Sequence, residues 1–381
     1  MAYFDNAATT YPKPDVVYSY MDSFYRESGG SAGRGDNIFS RTSAELIKDT
    51  RIKMQKLLHC ETKDIIFTHT ATIALNMIVQ GLIKYGCKNI YISPFEHNAI
   101  TRNLYAMNKT YDLKIVELAV TSDYVYDLEL IKYQFEDVRP DVIICTHASN
   151  VTGLVAPVID IFNLGKKYNA FSLVDMSQTA GLVDINIGLD IIDFAVFAGH
   201  KTLYGPTGIS GFAMKKGIDL PAVLYGGTGY DSANQDMPES VPEKYEMGTI
   251  NILGIAGLNA AITWIEEVGI NNIRKKEEDN RNRLLEIISG YSFIHTVGIN
   301  EKQEYVGVVS CLIDDIGSDS ASSIFNEKGI SVRTGLQCAP LAHKFLHTYP
   351  AGTIRFSVSY FTTDEDFNDL IKAFDYIEEN I

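Results

Sequence analysis

Four apolar stretches of this chain each run out onto a residue that can do chemistry. NIYISPFEH reaches His97, DVIICTHASN reaches Asn150, FSLVD reaches Asp175 and DFAVFAGHK reaches Lys201. A lysine is seldom buried without a partner or a task, and snorkelling from a strand end is the plain alternative for Lys201. Helix capping is the plain alternative for Asp175. Convergence of an amine, a carboxylate, an imidazole and an amide outweighs both. A fifth stretch, DIIFTH, ends just before Thr70-Ala71-Thr72, where a helix begins, and a helix start offers free N–H groups to an anion. An amine nucleophile, a carboxylate and an anion site together suit pyridoxal phosphate. Lys201 would form the Schiff base with its aldehyde. Asp175 would pair with the ring nitrogen and keep it protonated. The phosphate would sit on Ala71 and Thr72 with help from His200. His97 would lie over the ring and move protons, and Gln178 could reach the ring hydroxyl oxygen. His69 and His147, at neighbouring strand ends, read as structural.

These residues need a scaffold that delivers strand ends to one crevice. From about residue 62, short apolar runs alternate with helical patterns: DIIFTH, NIYISP, LKIVELAV, DVIICTH, FSLVDMS, DFAVFAG and ISGFAMK are the strands. ATIALNMIVQGLI, AITRNLYAMN, LELIKYQFED and VIDIFNLGKKY are the intervening helices. That alternation predicts a mostly parallel seven-stranded α/β sheet covered on both faces, and ligands in such sheets bind beyond the carboxyl ends of the strands. From about residue 258 the pattern changes to longer helices, then to YVGVVSCLI and TIRFSVS around the helix SDSASSIFNEKG. This reads as a smaller α+β domain. The expected division is a large domain over 13–257 and a small domain over 258–381 joined by the N-terminal segment 1–12. The charged helix from Ile273 to Ser289 reads as a solvated face.

Composition narrows the function classes. A net charge of −15 over 381 residues argues against nucleic acid or an anionic membrane as the main partner. No run of about 18 apolar residues is present to span a membrane, and MAYFDNAATTYPKP lacks the basic start and apolar core of a signal peptide. The five cysteines form no CxxC pair, which fits reduced thiols and a cytoplasmic location. Cys60, Cys87, Cys145 and Cys311 lie in or beside apolar stretches and read as inert core residues. Cys338, in RTGLQCAP, stands apart among turn-forming and polar neighbours.

YFDNAATT, FTHTATIALN, FEHNAI, HASNVTG, LVDMSQTAG, FAGHKTLYGPTGISGF, YEMGTINILGIAGL, RTGLQCAP and TIRFSVSYFT are spread from residue 3 to beyond residue 360, nearly the whole length of the chain. In them the sequence resembles class V, fold-type I pyridoxal-phosphate enzymes, specifically the cysteine desulfurase and selenocysteine lyase group. The resemblance implies one pyridoxal phosphate per chain, with Lys201 as the Schiff-base lysine. Asp175 and Gln178 would be partners of the ring, His97 the stacking histidine, and Ala71, Thr72 and His200 the phosphate site. It also implies that Asn150 and Arg355 hold the substrate carboxylate and that Cys338 is the nucleophile. In the implied reaction L-cysteine gives up its sulfur to Cys338 as a persulfide, alanine leaves, and a sulfur-acceptor protein unloads the thiol from a short, constrained loop. The implied assembly is a homodimer in which Thr249 crosses to the partner's phosphate site.

Other readings stay open. Selenocysteine lyase or cysteine-sulfinate desulfinase would share the cofactor, as would an aminotransferase or epimerase, and a non-catalytic assembly subunit would keep only the fold. Arg355 could instead pair with a structural acid such as Asp314. Two departures from the family pattern bear on binding. Ala198 stands where the family has a hydroxyl residue two before the His-Lys pair. In SGGSAGRGDN, residues 28–37, Arg34 and Asp36 take the region where commoner desulfurases carry a histidine.

Overall fold

The computed structural model describes residues 1–32, 37–230 and 233–380. Arg34 and Asp36 lie outside the described residues. Seven strands form the main sheet: β2 (Lys63–Thr68), β3 (Asn89–Ile92), β4 (Lys114–Glu117), β5 (Val142–Thr146), β6 (Phe171–Asp175), β7 (Phe194–Ala198) and β8 (Ser210–Lys215). Their order is β2-β8-β7-β6-β5-β3-β4, with β8 antiparallel to both neighbours and the other pairs parallel. The mostly parallel seven-stranded sheet expected from the alternation is therefore present. Strand order reverses between β3 and β5, so a crevice opens there at the carboxyl ends, where such sheets bind ligands.

The continuous apolar runs follow from burial on both faces. Side chains alternate sides along each strand. Ile143 and Cys145 of β5, Val174 of β6, and Ala195 and Phe197 of β7 enter one core. Their neighbours Val142, Ile144, Leu173, Phe194 and Val196 enter the other. Helices α3 (Ala71–Tyr85) and α4 (Asn98–Asn108) cover the second face. The first is covered by α2 (Ile38–Leu57), α5 (Leu128–Asp137), α6 (Val158–Lys166) and α7 (Ile252–Val268), with α1 (Asp15–Ser28) packed on α7.

A four-stranded antiparallel sheet follows in the order β12-β13-β10-β9, built from β9 (Ile294–Val297), β10 (Val308–Ile313), β12 (Arg333–Gly335) and β13 (Thr353–Ser357). Helices α8 (Ile270–Ser289), α9 (Ser318–Glu327) and α11 (Asp364–Asn380) pack with it around a third core, and the short α10 (Pro340–Phe345) precedes β13. The N-terminal strand β1 (Ala2–Tyr3) pairs with β11 (Ile330–Ser331), which buries Ala2 and Phe4 in that core. Helix α8 is less solvated than its charge suggests. Glu277, Asn280 and Arg281 are buried. Glu277 accepts from the Gly307 N–H at 3.0 Å, and Asn280 donates to the Ser359 carbonyl at 2.8 Å. Sequence pattern reveals which residues are polar, but not which are called on to satisfy loops packed beneath a helix.

Candidate active site

One cavity of about 320 Å³ gathers most of the residues singled out above: Ala71, Thr72, His97, Asn150, Asp175, Gln178, Ala198, His200, Lys201, Cys338 and Arg355. It also takes in Thr70 at the helix start and Ser177 of the LVDMSQTAG stretch, with Ala7, Ala8, Arg333 and Gln337, for which the sequence carried no chemical signal beyond the YFDNAATT and RTGLQCAP motifs. Thr249 does not line it; this residue is exposed elsewhere, beside a separate pocket between α2 and the 242–252 segment.

Each wall has a local cause. Thr70 caps α3, its hydroxyl accepting from the Ile73 N–H at 3.2 Å, so the helix starts at Ala71 with its first N–H groups toward the cavity. Strand β7 ends at Ala198, and the next residue is Gly199, where a Cβ would meet the Ile209 carbonyl oxygen at 2.4 Å. That close approach turns His200 and Lys201 into the site. The His200 ring leaves a buried Nδ1 without a partner, and burial, then the neighbouring Lys201 and Lys13, push its pKa down to about 4. Burial also brings the Lys201 amine down to about 8, against the opposing pull of Asp175. A lowered pKa leaves more of the amine unprotonated and nucleophilic.

Asp175 is buried, and its Oδ1 accepts from the N–H and hydroxyl of Ser177 at 2.9 and 2.6 Å. The segment after Asp175 is a turn rather than the helix that the plain alternative would have it cap; that turn occupies one oxygen, and Oδ2 is left for the cavity. Gln178 is held by its side-chain amide to the Ala7 carbonyl at 2.9 Å. His97 caps α4, its Nδ1 accepting from the Ala99 N–H at 3.0 Å. Nδ1 is therefore unprotonated, and Nε2 is the atom left to carry and release a proton. Burial, then the Lys201 charge, lower the His97 pKa and favour the neutral ring.

Beneath this floor lies an acid that sequence reading passed over. Glu96 is fully buried, with Oε1 accepting from the Thr146 N–H at 2.6 Å and Oε2 unpartnered. Burial, then the nearby Asp175 charge, raise its pKa to about 8. His147 is buried, with Nδ1 against the Thr179 hydroxyl at 2.9 Å, in keeping with a structural role. His69 is exposed and lies off the cavity.

Cys338 is exposed, whereas Cys60, Cys87, Cys145 and Cys311 are buried. It sits on a turn where Gln337 and Cys338 both take left-handed backbone, at φ of 40° and 58°. For non-glycine residues that conformation is costly and persists only when the surroundings over-determine it. They do so here. The Gln337 side chain donates to the Thr353 carbonyl at 2.9 Å and accepts from His343 Nε2 at 2.8 Å. His343 is buried, and its Nδ1 accepts from the Thr348 hydroxyl at 2.7 Å. Asn150 Nδ2 donates to the Gln337 carbonyl at 2.7 Å, and the Asn98 N–H donates to the Cys338 carbonyl at 2.7 Å. The loop is short and locked, and the thiol faces a cavity shared with Lys201.

Arg355 is buried on β13, but its acid partner is Asp5 rather than Asp314. Nη2 meets Asp5 Oδ1 at 2.7 Å, and Nη1 meets the Asn150 carbonyl at 2.8 Å. Asp314 instead holds His295 at 2.9 Å. Asp5 reaches Arg355 because the N-terminal segment lies along β13, with Asp5 bridged to Ser357.

An open α/β sheet with a lysine, a carboxylate and a helix start at one crevice is the architecture of fold-type I pyridoxal-phosphate enzymes. The apo structure of a cysteine desulfurase from Thermococcus onnurineus superposes with a TM-score of 0.91 at 25% identity, covering 100% of this chain and 95% of that one. A cysteine desulfurase from Escherichia coli shares the fold with a TM-score of 0.86 at 24% identity, over 99% and 94% of the two chains. Among curated sequences, a probable cysteine desulfurase of Halalkalibacterium halodurans is 28% identical, covering 100% of this chain and 93% of the relative. One from Methanothermobacter thermautotrophicus is 29% identical over 96% and 91%. The chain belongs to the aminotransferase class-V family, whose model matches residues 2–370.

Proposed function

We propose that this protein is a cysteine desulfurase that moves the sulfur of L-cysteine onto Cys338 and releases alanine. The observation that carries the reading is the locked Cys338 turn on the wall of the cavity that holds Lys201, with the other cysteines buried. The residues also fit pyridoxal phosphate. An orphaned buried His200 Nδ1 and the first N–H groups of α3 suit a phosphate, Asp175 Oδ2 suits a protonated ring nitrogen, and the lowered amine of Lys201 suits an aldehyde. When bound, the cofactor supplies an electron sink that makes the substrate Cβ–Sγ bond labile.

The chain's own residues do the rest. Lys201 and His97 Nε2 carry protons to and from the substrate. Asn150 and Arg355 hold its carboxylate. The Cys338 thiolate attacks the substrate sulfur, so an S–S bond forms as the Cβ–Sγ bond breaks. The carbon keeps the bonding electron pair and takes a proton, which yields the methyl group of alanine with no external oxidant. The sulfur then passes to an acceptor with its own thiol. Thr249, exposed and off the cavity of its own chain, suits a homodimer in which it completes the phosphate site of a second copy.

The test measures alanine release and persulfide on Cys338 from L-cysteine, with selenocysteine and cysteine sulfinate alongside. Borohydride is expected to fix the cofactor on Lys201. Cys338→Ala is expected to abolish persulfide formation and leave the visible spectrum intact. Parent-level sulfide release by that variant overturns the reading, and retained activity confined to selenocysteine favours a lyase.

A further inference from the structure

Arg355 is engaged by groups of its own chain. Its Nη2 carries Asp5 and its Nη1 the Asn150 carbonyl, while Nε is buried and unpartnered. The arginine side chain is 3% exposed and that of Asp5 16%, so solvent screens this pair little. The two residues face different spaces. Arg355 lines the cavity with Lys201 and Cys338, whereas Asp5 lines a polar groove of about 550 Å³ beside α9. The ion pair is the partition between them.

Asp5 is not required to orient the guanidinium. The bond to Asn150 and the pairing of β13 with β10 and β12 hold Arg355 without it. Nor is its carboxylate needed to hold the N-terminal segment, which is tied down by main-chain bonds. The Ser357 N–H donates to the Phe4 carbonyl at 2.7 Å, and the Phe4 N–H to the Ser331 carbonyl at 2.8 Å. Among the described residues, the Asp5 carboxylate makes its one hydrogen bond to Arg355. Its remaining effect is on charge. An incoming carboxylate must either displace Asp5 from Nη2 or join it as a second anion on one cation, using the free Nε edge. Both routes cost affinity, because like charges at close range oppose each other in a buried setting.

We propose that Asp5 is an internal competitor for Arg355 and thereby sets the affinity of this site for amino-acid carboxylates. The proposal rests on the proposed function only in taking Arg355 as the carboxylate anchor. Its consequence is a site tuned to release its amino-acid product, with the N-terminal strand as the tuning element.

The experiment is Asp5→Asn, which keeps the shape and an acceptor oxygen but removes the charge. Binding of L-alanine, the unreactive product, is read from the visible band of the cofactor-loaded enzyme. Binding of propionate to the cofactor-free chain is read by calorimetry. We expect both to tighten three- to tenfold, and the Michaelis constant for L-cysteine to fall with them by more than kcat changes. In an Arg355→Lys background the gain should shrink to less than twofold. Asp5→Ser, checked for its melting temperature, repeats the test should the asparagine variant fold poorly. Weaker or unchanged binding in the variants overturns the proposal. A parent that binds L-alanine and propionate yet forms no persulfide overturns the desulfurase reading instead, and leaves the Asp5 effect readable.

Discussion

Removing the side chain of Gln337 isolates what locks the Cys338 loop. Gln337→Ala deletes the bonds to the Thr353 carbonyl and from His343 Nε2, both buried. Each neutral bond is worth about 1 kcal/mol net, and stranding the buried His343 N–H adds about 1–3 kcal/mol. The alanine variant should therefore lose roughly 3–5 kcal/mol of stability. It keeps the left-handed backbone at φ 40°, which costs a non-glycine residue about 1–2 kcal/mol. Gln337→Gly loses the same bonds but escapes that cost, less the extra chain entropy of glycine, so it should be about 1 kcal/mol more stable than the alanine variant. Urea unfolding of the three proteins measures both differences. Rapid trapping of persulfide on Cys338 should show both variants slowed at least tenfold, with the visible band unchanged, because the thiol is no longer held against the cavity. An alanine variant as stable as the parent, or a glycine variant weaker than alanine, refutes the account of the lock. Parent-rate persulfide formation in both refutes its role in the chemistry.

Two further outcomes are expected. Thr249→Ala should weaken cofactor binding roughly ten- to hundredfold, the equivalent of a hydrogen bond to a charged group at about 1.5–3 kcal/mol. Cofactor titration of the apo-proteins with light scattering checks this, and a monomer with full cofactor affinity defeats it. Glu96 holds its proton up to about pH 8 in the fold, against the ordinary 4.5, so the folded state binds more protons across that window. Parent stability must fall there as pH rises. Glu96→Gln lacks this penalty, and its melting temperature should gain on the parent from pH 5 to pH 8; a constant difference means Glu96 ionises at its ordinary value.

What the sequence determined by itself is the sheet and the ends of its strands. A parallel strand buried on both faces must be a short apolar run, so β3, β5, β6 and β7 announce themselves locally, and the first polar residues beyond them mark the crevice. His97, Asn150, Asp175 and Lys201 were legible for that reason. Cys338 was legible because a thiol among turn residues differs from a thiol in an apolar run. Other features depend on contacts between residues far apart in the chain, which no local pattern encodes. Asp5 meets Arg355 across 350 positions because the N-terminal segment runs along β13; from sequence, Asp314 was as good a partner. Gln337 on its turn and His343 on the short helix Pro340–Phe345 are unremarked polar residues until Thr353 and Thr348 close around them. Glu96 looks like one more surface acid beside His97 until β5 and β6 bury it. Tertiary packing decided these because the cost of a polar group depends on what surrounds it, and those surroundings are assembled only when the chain folds.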